Sequence, residues 1–290
     1  MKYLGTLSDE KLNHAGVPQG TKLGPILFLV MINDALVNSH IPYYKYVDDL
    51  TLVECRVNDQ QSDLQTYLSL FHKWTVDNNM KLNPSKCFAM NVTFSRNPQP
   101  HPILTIDDTR LPNVHSTKIL GVIVQSNLKW DGHIAEIIKK CNRKLYMFRT
   151  IRKYGLPLDD LKTVYTGYIR PVLEYCAPVF NGGLTKGHVK SLEQIQKRVF
   201  KIMLGPNYVS YQHACRMLDL PTLESRRHKL CLEFAKNLAN HPVCHSWIPP
   251  RKTNPRSLRH TLTYEQFTCK TQRFRKSALP YFVDLLNGKI

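Results

Sequence analysis

Two adjacent aspartates, Asp48 and Asp49, interrupt a mostly apolar run that extends from Ile41 to Val53. Ile41-Pro42-Tyr43-Tyr44-Lys45-Tyr46-Val47 precedes them and Leu50-Thr51-Leu52-Val53 follows. Aromatic and β-branched residues of this kind favour strands. Successive side chains of a strand point to opposite faces, so neighbouring carboxylates converge only where the chain turns. The pattern therefore predicts a β-hairpin with the aspartates at its tip. Converging carboxylates repel each other, and a cation that neutralises them removes that cost. Their hard oxygens suit Mg²⁺, which keeps several waters and takes one or two carboxylates together with substrate phosphates. Such a pair is half of a two-metal phosphoryl-transfer site. Read apart from its neighbours, Asp-Asp is first of all a polar turn, because Asp bonds locally to its own backbone.

The neighbourhood shifts that balance. Gly16-Val17-Pro18-Gln19-Gly20-Thr21-Lys22-Leu23-Gly24-Pro25 stands upstream, followed by Ile26-Leu27-Phe28-Leu29-Val30-Met31-Ile32-Asn33-Asp34. The glycines allow a ligand to approach the backbone closely, and Pro25 fits the first turn of a helix. An apolar helix from Pro25 to Val37, buried under a sheet, is expected next. Together the block and Tyr46-Val47-Asp48-Asp49 resemble the palm of a reverse transcriptase. The match is to the non-LTR (LINE-type) retrotransposon family, which carries a G-V-P-Q-G-S-x-L-G-P block before a Y-A-D-D or Y-V-D-D box; Thr21 departs from the usual Ser.

The resemblance implies an α+β fold: a polymerase palm with an antiparallel sheet and packed helices, followed by an all-helical thumb. It implies an RNA-directed DNA polymerase, extending a DNA primer on an RNA template with deoxynucleoside triphosphates and Mg²⁺. Asp48 and Asp49 are the implied metal ligands and catalytic carboxylates. Gly16, Pro18, Gln19, Gly20 and Tyr46 are implied to touch template–primer or nucleotide. Leu82-Asn83-Pro84-Ser85-Lys86 matches an L-N-x-x-K block, which gives Lys86 a phosphate-contacting or proton-donating role; the plain alternative is a solvated lysine. Lys118-Ile119-Leu120-Gly121-Val122 resembles a K-x-L-G-V strand, and implies that Leu120 and Gly121 grip the primer end. The family also carries a metal-binding aspartate on a strand before the glycine block. Here the only aspartate ahead of Gly16 is Asp9, in a turn-like Leu7-Ser8-Asp9-Glu10-Lys11. The chain thus reads as the downstream portion of such a protein, without fingers, endonuclease or that first aspartate. The alternative is a non-catalytic nucleic-acid-binding remnant.

Charge, read apart from the resemblance, points to an anionic partner. Residues 1–130 hold 12 Lys and Arg against 11 Asp and Glu, whereas residues 131–290 hold 28 against 11. A basic half of this size suits nucleic acid or an anionic membrane surface. The longest apolar run, Ile26–Ile32, is too short to span a bilayer, so no membrane role is expected. The eight cysteines form no C-x-x-C pair, which disfavours a zinc ribbon and points to a reducing compartment. No secretory leader is recognised at Met1, and an intracellular, nuclear or cytoplasmic location is expected. Oligomeric state is left open, and no internal repeat is found.

Three segments are expected: a partial palm over 1–129, a helical thumb or connection over 130–240, and a basic C-terminal tail over 241–290. In the first, Leu64, Tyr67, Leu68, Phe71 and Trp74 mark an amphipathic helix within 59–79, and Phe88–Phe94 looks like a strand. Asp107-Asp108 lies between Leu104-Thr105-Ile106 and Thr109-Arg110-Leu111; lacking the aromatic flank, it reads as an ordinary hairpin turn. Helical stripes begin after Trp130. Gly155-Leu156-Pro157 is a break, and Thr185, Ser210 and Thr222 are candidate N-caps. Arg251–Ile290 holds 9 Lys and Arg against 2 Asp and Glu, with a short helix expected around Pro280–Leu286.

Overall fold

Tight hairpins make every β-ladder among the described residues. The computed structural model describes residues 2–3, 6–7, 20–57, 60–95, 100–248, 250 and 263–289, with backbone only at 2, 3, 6 and 7. The chain divides into two units, Met1–Val114 and His115–Ile290.

The first unit opens with strands β1 (Lys2–Tyr3) and β2 (Thr6–Leu7), paired antiparallel. Helix α1 (Leu23–Ile32) follows. Strands β3 (Tyr43–Tyr46) and β4 (Asp49–Leu52) form the expected hairpin, with Tyr43 opposite Leu52 and Tyr46 opposite Asp49. Helix α2 (Leu64–Asp77) lies within the stretch read as amphipathic. Pro84–Lys86 is a single 3-10 turn, capped by the Asn83 side chain, which accepts from the Ser85 amide. Strands β5 (Thr105–Ile106) and β6 (Thr109–Arg110) pair through Asp107 and Asp108, both at positive φ. That is the geometry of a type I′ turn, in which Asp is favoured. Asp107 Oδ1 also lies 3.3 Å from His72 Nε2.

Two expectations need correction. Helix α1 is not buried under a sheet: Leu23, Ile26, Leu27, Leu29, Val30 and Met31 are exposed, and only Gly24 and Ile32 are buried. Its residues are apolar all round, so the small cluster of Ile32, Ala35 and Phe71 covers one side alone. Phe88–Phe94 is not a strand either; it makes one isolated bridge, Ala89 to Asn113. The β-structure of the described residues is thus four separate two-stranded ladders.

The second unit begins with β7 (Ser116–Ile119) and β8 (Val122–Gln125), another antiparallel hairpin. Its turn residues, Leu120 and Gly121, have φ of 45° and 87°. Helix α3 (Asp131–Lys153) then lays Ile134, Ile137, Cys141, Leu145 and Phe148 into the main core. Gly155, at positive φ, breaks the chain before α4 (Leu158–Val164), as expected. A π-helical turn, Tyr165–Ile169, joins α4 to α5 (Arg170–Glu174). Cys176 then adopts a left-handed conformation ahead of α6 (Ala177–Phe180). Thr185 caps α7 (Lys186–Leu204) through the His188 amide, Ser210 caps α8 (Tyr211–Met217), and Thr222 caps α9 (Leu223–Ala239). All three caps are the residues picked out in the sequence.

A buried polar chain ties these helices together. Tyr165 Oη donates to Gln196 Oε1, whose amide donates to Tyr211 Oη and to the Pro221 carbonyl, both at 2.9 Å. Tyr211 Oη in turn donates to Glu193, and Glu193 Oε1 accepts from the Glu224 amide at 2.7 Å. Burial, with Glu174 and Glu193 close by, holds the Tyr165 phenol well above its ordinary range, so it stays a donor.

The stretch read as a basic tail contains α10 (Gln272–Arg275) and α11 (Ala278–Leu286). Phe282, Val283 and Leu285 pack with Cys231, Ala235 and Ile248 as a second core. Close neighbours require glycine at two positions, Gly182 against α11 and Gly183 against the Trp130 indole. A Cβ on Gly182 would lie 2.8 Å from Tyr281 Cγ, and one on Gly183 would lie 2.5 Å from Trp130 Nε1. Asn181 completes the joint: its amide donates to Tyr281 Oη at 2.7 Å, and its Oδ1 accepts from Arg227 Nε at 3.1 Å.

Candidate active site

The sequence places two residues, Val47 and Asp48, in the turn between β3 and β4, and Asp49 at the start of the ladder. Val47 sits at φ 54°, a left-handed conformation that β-branched residues rarely adopt. Such a turn reverses the chain within two residues and brings the aspartates to one end of the hairpin. Both are exposed, and Tyr46, 63% exposed, flanks them.

What holds this hairpin is Lys45, a residue the sequence reading passed over. Its ammonium donates to the carbonyls of Ile32, Asn33 and Ala35 at 2.9, 2.9 and 3.0 Å. These oxygens lie at and just beyond the end of α1, where carbonyls lack helical partners. One cation thereby uses all three of its donors to fasten β3 to the helix that follows the glycine block. Leu50 adds an apolar contact with the Ile32–Ala35–Phe71 cluster. The available signal was a single lysine inside an aromatic strand.

The other expected site residues lie in different places. Gly20, at φ 82°, stands in the turn before α1, where a Cβ would meet nothing within 4 Å among the described residues. Gly16, Pro18 and Gln19 lie outside the described residues, as does Asp9. Lys86 is an exposed residue of the 3-10 turn Pro84–Lys86. Leu120 and Gly121 form the β7–β8 turn, which belongs to the second unit.

The donor set of the hairpin fits Mg²⁺ in its chemistry, since two exposed carboxylates leave room for waters and phosphate oxygens. Among the described residues no group of three or more His, Cys, Asp or Glu is placed to hold a metal.

On the second unit, the solvent side of α3 carries Lys139, Arg143, Tyr146, Arg149 and Lys153, all exposed. Lys139, Asn142 and Arg143 line an open depression with Ala135 and Ile138, and Arg198 Nη1 donates to Asn142 Oδ1 at 3.2 Å. Lys144 differs from these neighbours: it donates to the Tyr168 carbonyl at 2.8 Å and lies 3.4 Å above that tyrosine ring.

Comparison with known proteins gives this geometry a context. Residues 3–124 match the family described as reverse transcriptase (RNA-dependent DNA polymerase). The chain is 27% identical over 252 residues to the RNA-directed DNA polymerase from mobile element jockey of Drosophila funebris, covering 82% of this chain and 27% of that protein. It is 24% identical over 284 residues to the probable RNA-directed DNA polymerase from transposon X-element of Drosophila melanogaster, covering 92% and 31%. The probable RNA-directed DNA polymerase from transposon BS of the same fly is 26% identical over 277 residues, covering 89% and 30%. The chain spans less than a third of the length of these relatives. No solved structure matches it. Residues 3–124 thus match the model of the reverse transcriptase family, and most of the chain is similar to RNA-directed DNA polymerases of Drosophila mobile elements.

Proposed function

We propose that this chain is a palm-and-thumb portion of an RNA-directed DNA polymerase, with Asp48 and Asp49 as its metal-binding carboxylates. The observation that carries the reading is the hairpin itself: two adjacent exposed carboxylates at a two-residue turn, inside the segment that matches the family. Asp48 and Asp49 would hold Mg²⁺, which when bound supplies positive charge to the phosphates of a nucleotide and primer. The chain's own part is positioning. Lys45 sets the depth of β3 against α1, and the strained Val47 turns the aspartates outward. Tyr46 presents an exposed ring beside them, suited to lie against a base or sugar. Lys86 would reach a phosphate from its own turn, as a point charge on a flexible stem.

The helical unit would grip the RNA template and DNA primer through the solvent side of α3. Exposed cations at positions 139, 143, 149 and 153 recur along one side of that helix, with Tyr146 between them. The turn of Leu120 and Gly121 would meet the primer end. A non-catalytic, nucleic-acid-binding role is the second reading, favoured by the lack of a third metal-binding group among the described residues.

Mn²⁺ titration followed by electron paramagnetic resonance, with a primed RNA template and a deoxynucleotide present, tests the assignment. Saturable binding should be lost when Asp48→Asn and Asp49→Asn are combined. Equal binding by both proteins would remove these residues as ligands.

A further inference from the structure

The β7–β8 turn carries more restraint than a two-residue hairpin needs. Leu120 sits at φ 45°, a strained conformation for a branched side chain, and its carbonyl faces out of the ladder, which pairs Ile119 with Val122. That carbonyl accepts a hydrogen bond from Tyr175 Oη at 2.8 Å. The same ring covers Gly121: a Cβ there would lie 3.1 Å from Tyr175 Cε1. One side chain, 55 residues further along the chain, therefore bonds one turn residue and packs on the other.

Tyr175 is itself held. It ends α5, where the backbone leaves the helix at ψ 126°, and Cys176 then turns left-handed. Leu173 is fully buried on one side of this bend. Glu174 is gripped by Arg226, with Nη2 2.9 Å from Oε2 and a second bond from Nε, while Arg170 Nε lies 3.9 Å away. An ion-pair cluster thus anchors the residue next to a tyrosine whose hydroxyl reaches the hairpin tip. Tyr175 remains half-exposed, so burial alone does not account for its place.

We infer that Tyr175 is a positioning residue for the primer end: it sets the turn of Leu120 and Gly121 at a fixed height, so that the tip presents its backbone to the primer terminus. This inference rests on the reading above, in which Leu120 and Gly121 meet the primer.

The test uses the full chain and Tyr175→Phe, which keeps the ring over Gly121 and removes only the hydroxyl. Amide hydrogen exchange reads the tether without any nucleic acid. Exchange within Ser116–Gln125 should rise about fivefold, the effect of one net hydrogen bond, while α7 and α9 stay at wild-type rates. A primer carrying 2-aminopurine at its 3′ end, annealed to RNA, reads the positioning. The terminal probe should respond to the wild-type protein and lose most of that response with Tyr175→Phe, while affinity reported by a dye at the far end changes less than twofold. Tyr175→Leu, lacking the ring as well, should show the larger effect in both readouts. Unchanged exchange in Tyr175→Phe would overturn the tether. Raised exchange with a wild-type terminal response would overturn the positioning role. A wild-type protein to which the terminal probe gives no response would instead refute the primer contact of Leu120 and Gly121, and the inference with it.

Discussion

Lys45 Nζ lies 2.9 Å from the carbonyl oxygen of Ile32, so the hairpin that carries the aspartates is fastened to the last turn of α1 by a charge-assisted bond. Two further carbonyls, of Asn33 and Ala35, share the same ammonium. We predict that Lys45→Met destabilises the first unit by about 2 kcal/mol, since hydrogen bonds to charged groups contribute about 1.5–3 kcal/mol and two of the three, to Ile32 and Ala35, are partly buried. Denaturant unfolding of the full chain carrying Trp130→Phe and Trp247→Phe, followed by the fluorescence of the remaining Trp74, measures it. Lys45→Arg should recover part of the loss; a Met variant as stable as wild type would show that solvent replaces the ammonium fully.

Asp48 and Asp49 reach the same end of one hairpin, so their oxygens approach a ligand from one side. In-line displacement needs both the attacking and the leaving oxygen held in place. Among the described residues no third carboxylate joins them, and a cooperative catalytic set short of one member loses on the order of 10⁴-fold or more. The 290-residue polypeptide by itself is therefore expected to give no Asp48-dependent primer extension on a primed RNA template with Mg²⁺ or Mn²⁺. Extension that disappears in Asp48→Asn would refute this, and would identify another carboxylate, Asp9 first, as a partner.

The exposed cations of α3 and the half-buried Lys144, tied to Tyr168, should separate in a salt titration. Each exposed residue that touches a phosphate releases a counterion on binding, so single Ala substitutions at Lys139, Arg143, Arg149 or Lys153 should lower the slope of log affinity against log salt by roughly 1. The loss should be uniform across sequences of an RNA–DNA hybrid. Lys144→Met should instead lower stability and leave the slope unchanged, because its ammonium is already spent on Tyr168.

His133 makes the second unit sensitive to acid. Its Nδ1 accepts from the Ile123 amide at 3.3 Å, its Nε2 is buried without a partner among the described residues, and the Phe180 ring centre lies 5.1 Å away. Burial first, and Lys140 second, hold its pKa below the ordinary 6.5. The unfolded chain therefore binds the proton more readily than the folded one. Stability contributed by neutral His133 is full above pH 6.5 and is lost as the pH falls from there through the lower folded value. Unfolding measured between pH 7.5 and 5 should show this fall. His133→Asn, whose Oδ1 can keep the Ile123 bond, should flatten it whatever its absolute stability; an unchanged pH dependence would clear His133 of the effect.

What the sequence made legible is local. The hairpin at 43–52, the break at Gly155 and the caps at Thr185, Ser210 and Thr222 each depend on residues within a few positions of one another. The fastening of those parts was not legible, because it joins residues far apart: Lys45 to the end of α1, Tyr175 to Leu120, Asn181 to Tyr281. The misreading of α1 has a different origin. A helix apolar all round is ordinarily interior, and nothing in Leu23–Ile32 reveals how little of the described protein lies against it. The aspartates were legible through their neighbours alone, since Asp107-Asp108 offers the same dipeptide in another hairpin and pairs with His72 instead.

The bare backbone at Gly182 bears on the order in which the molecule is made. This residue is synthesised about a hundred positions before Tyr281, yet the space beside it stays open until α11 arrives to fill it. During that interval a nascent chain already holding α3 to α9 would show Cys231, Ala235 and Arg227 to solvent or to a chaperone. A ribosome stalled short of Ala278 would thus release a product that resembles the finished helical unit in secondary structure but not in resistance to proteolysis.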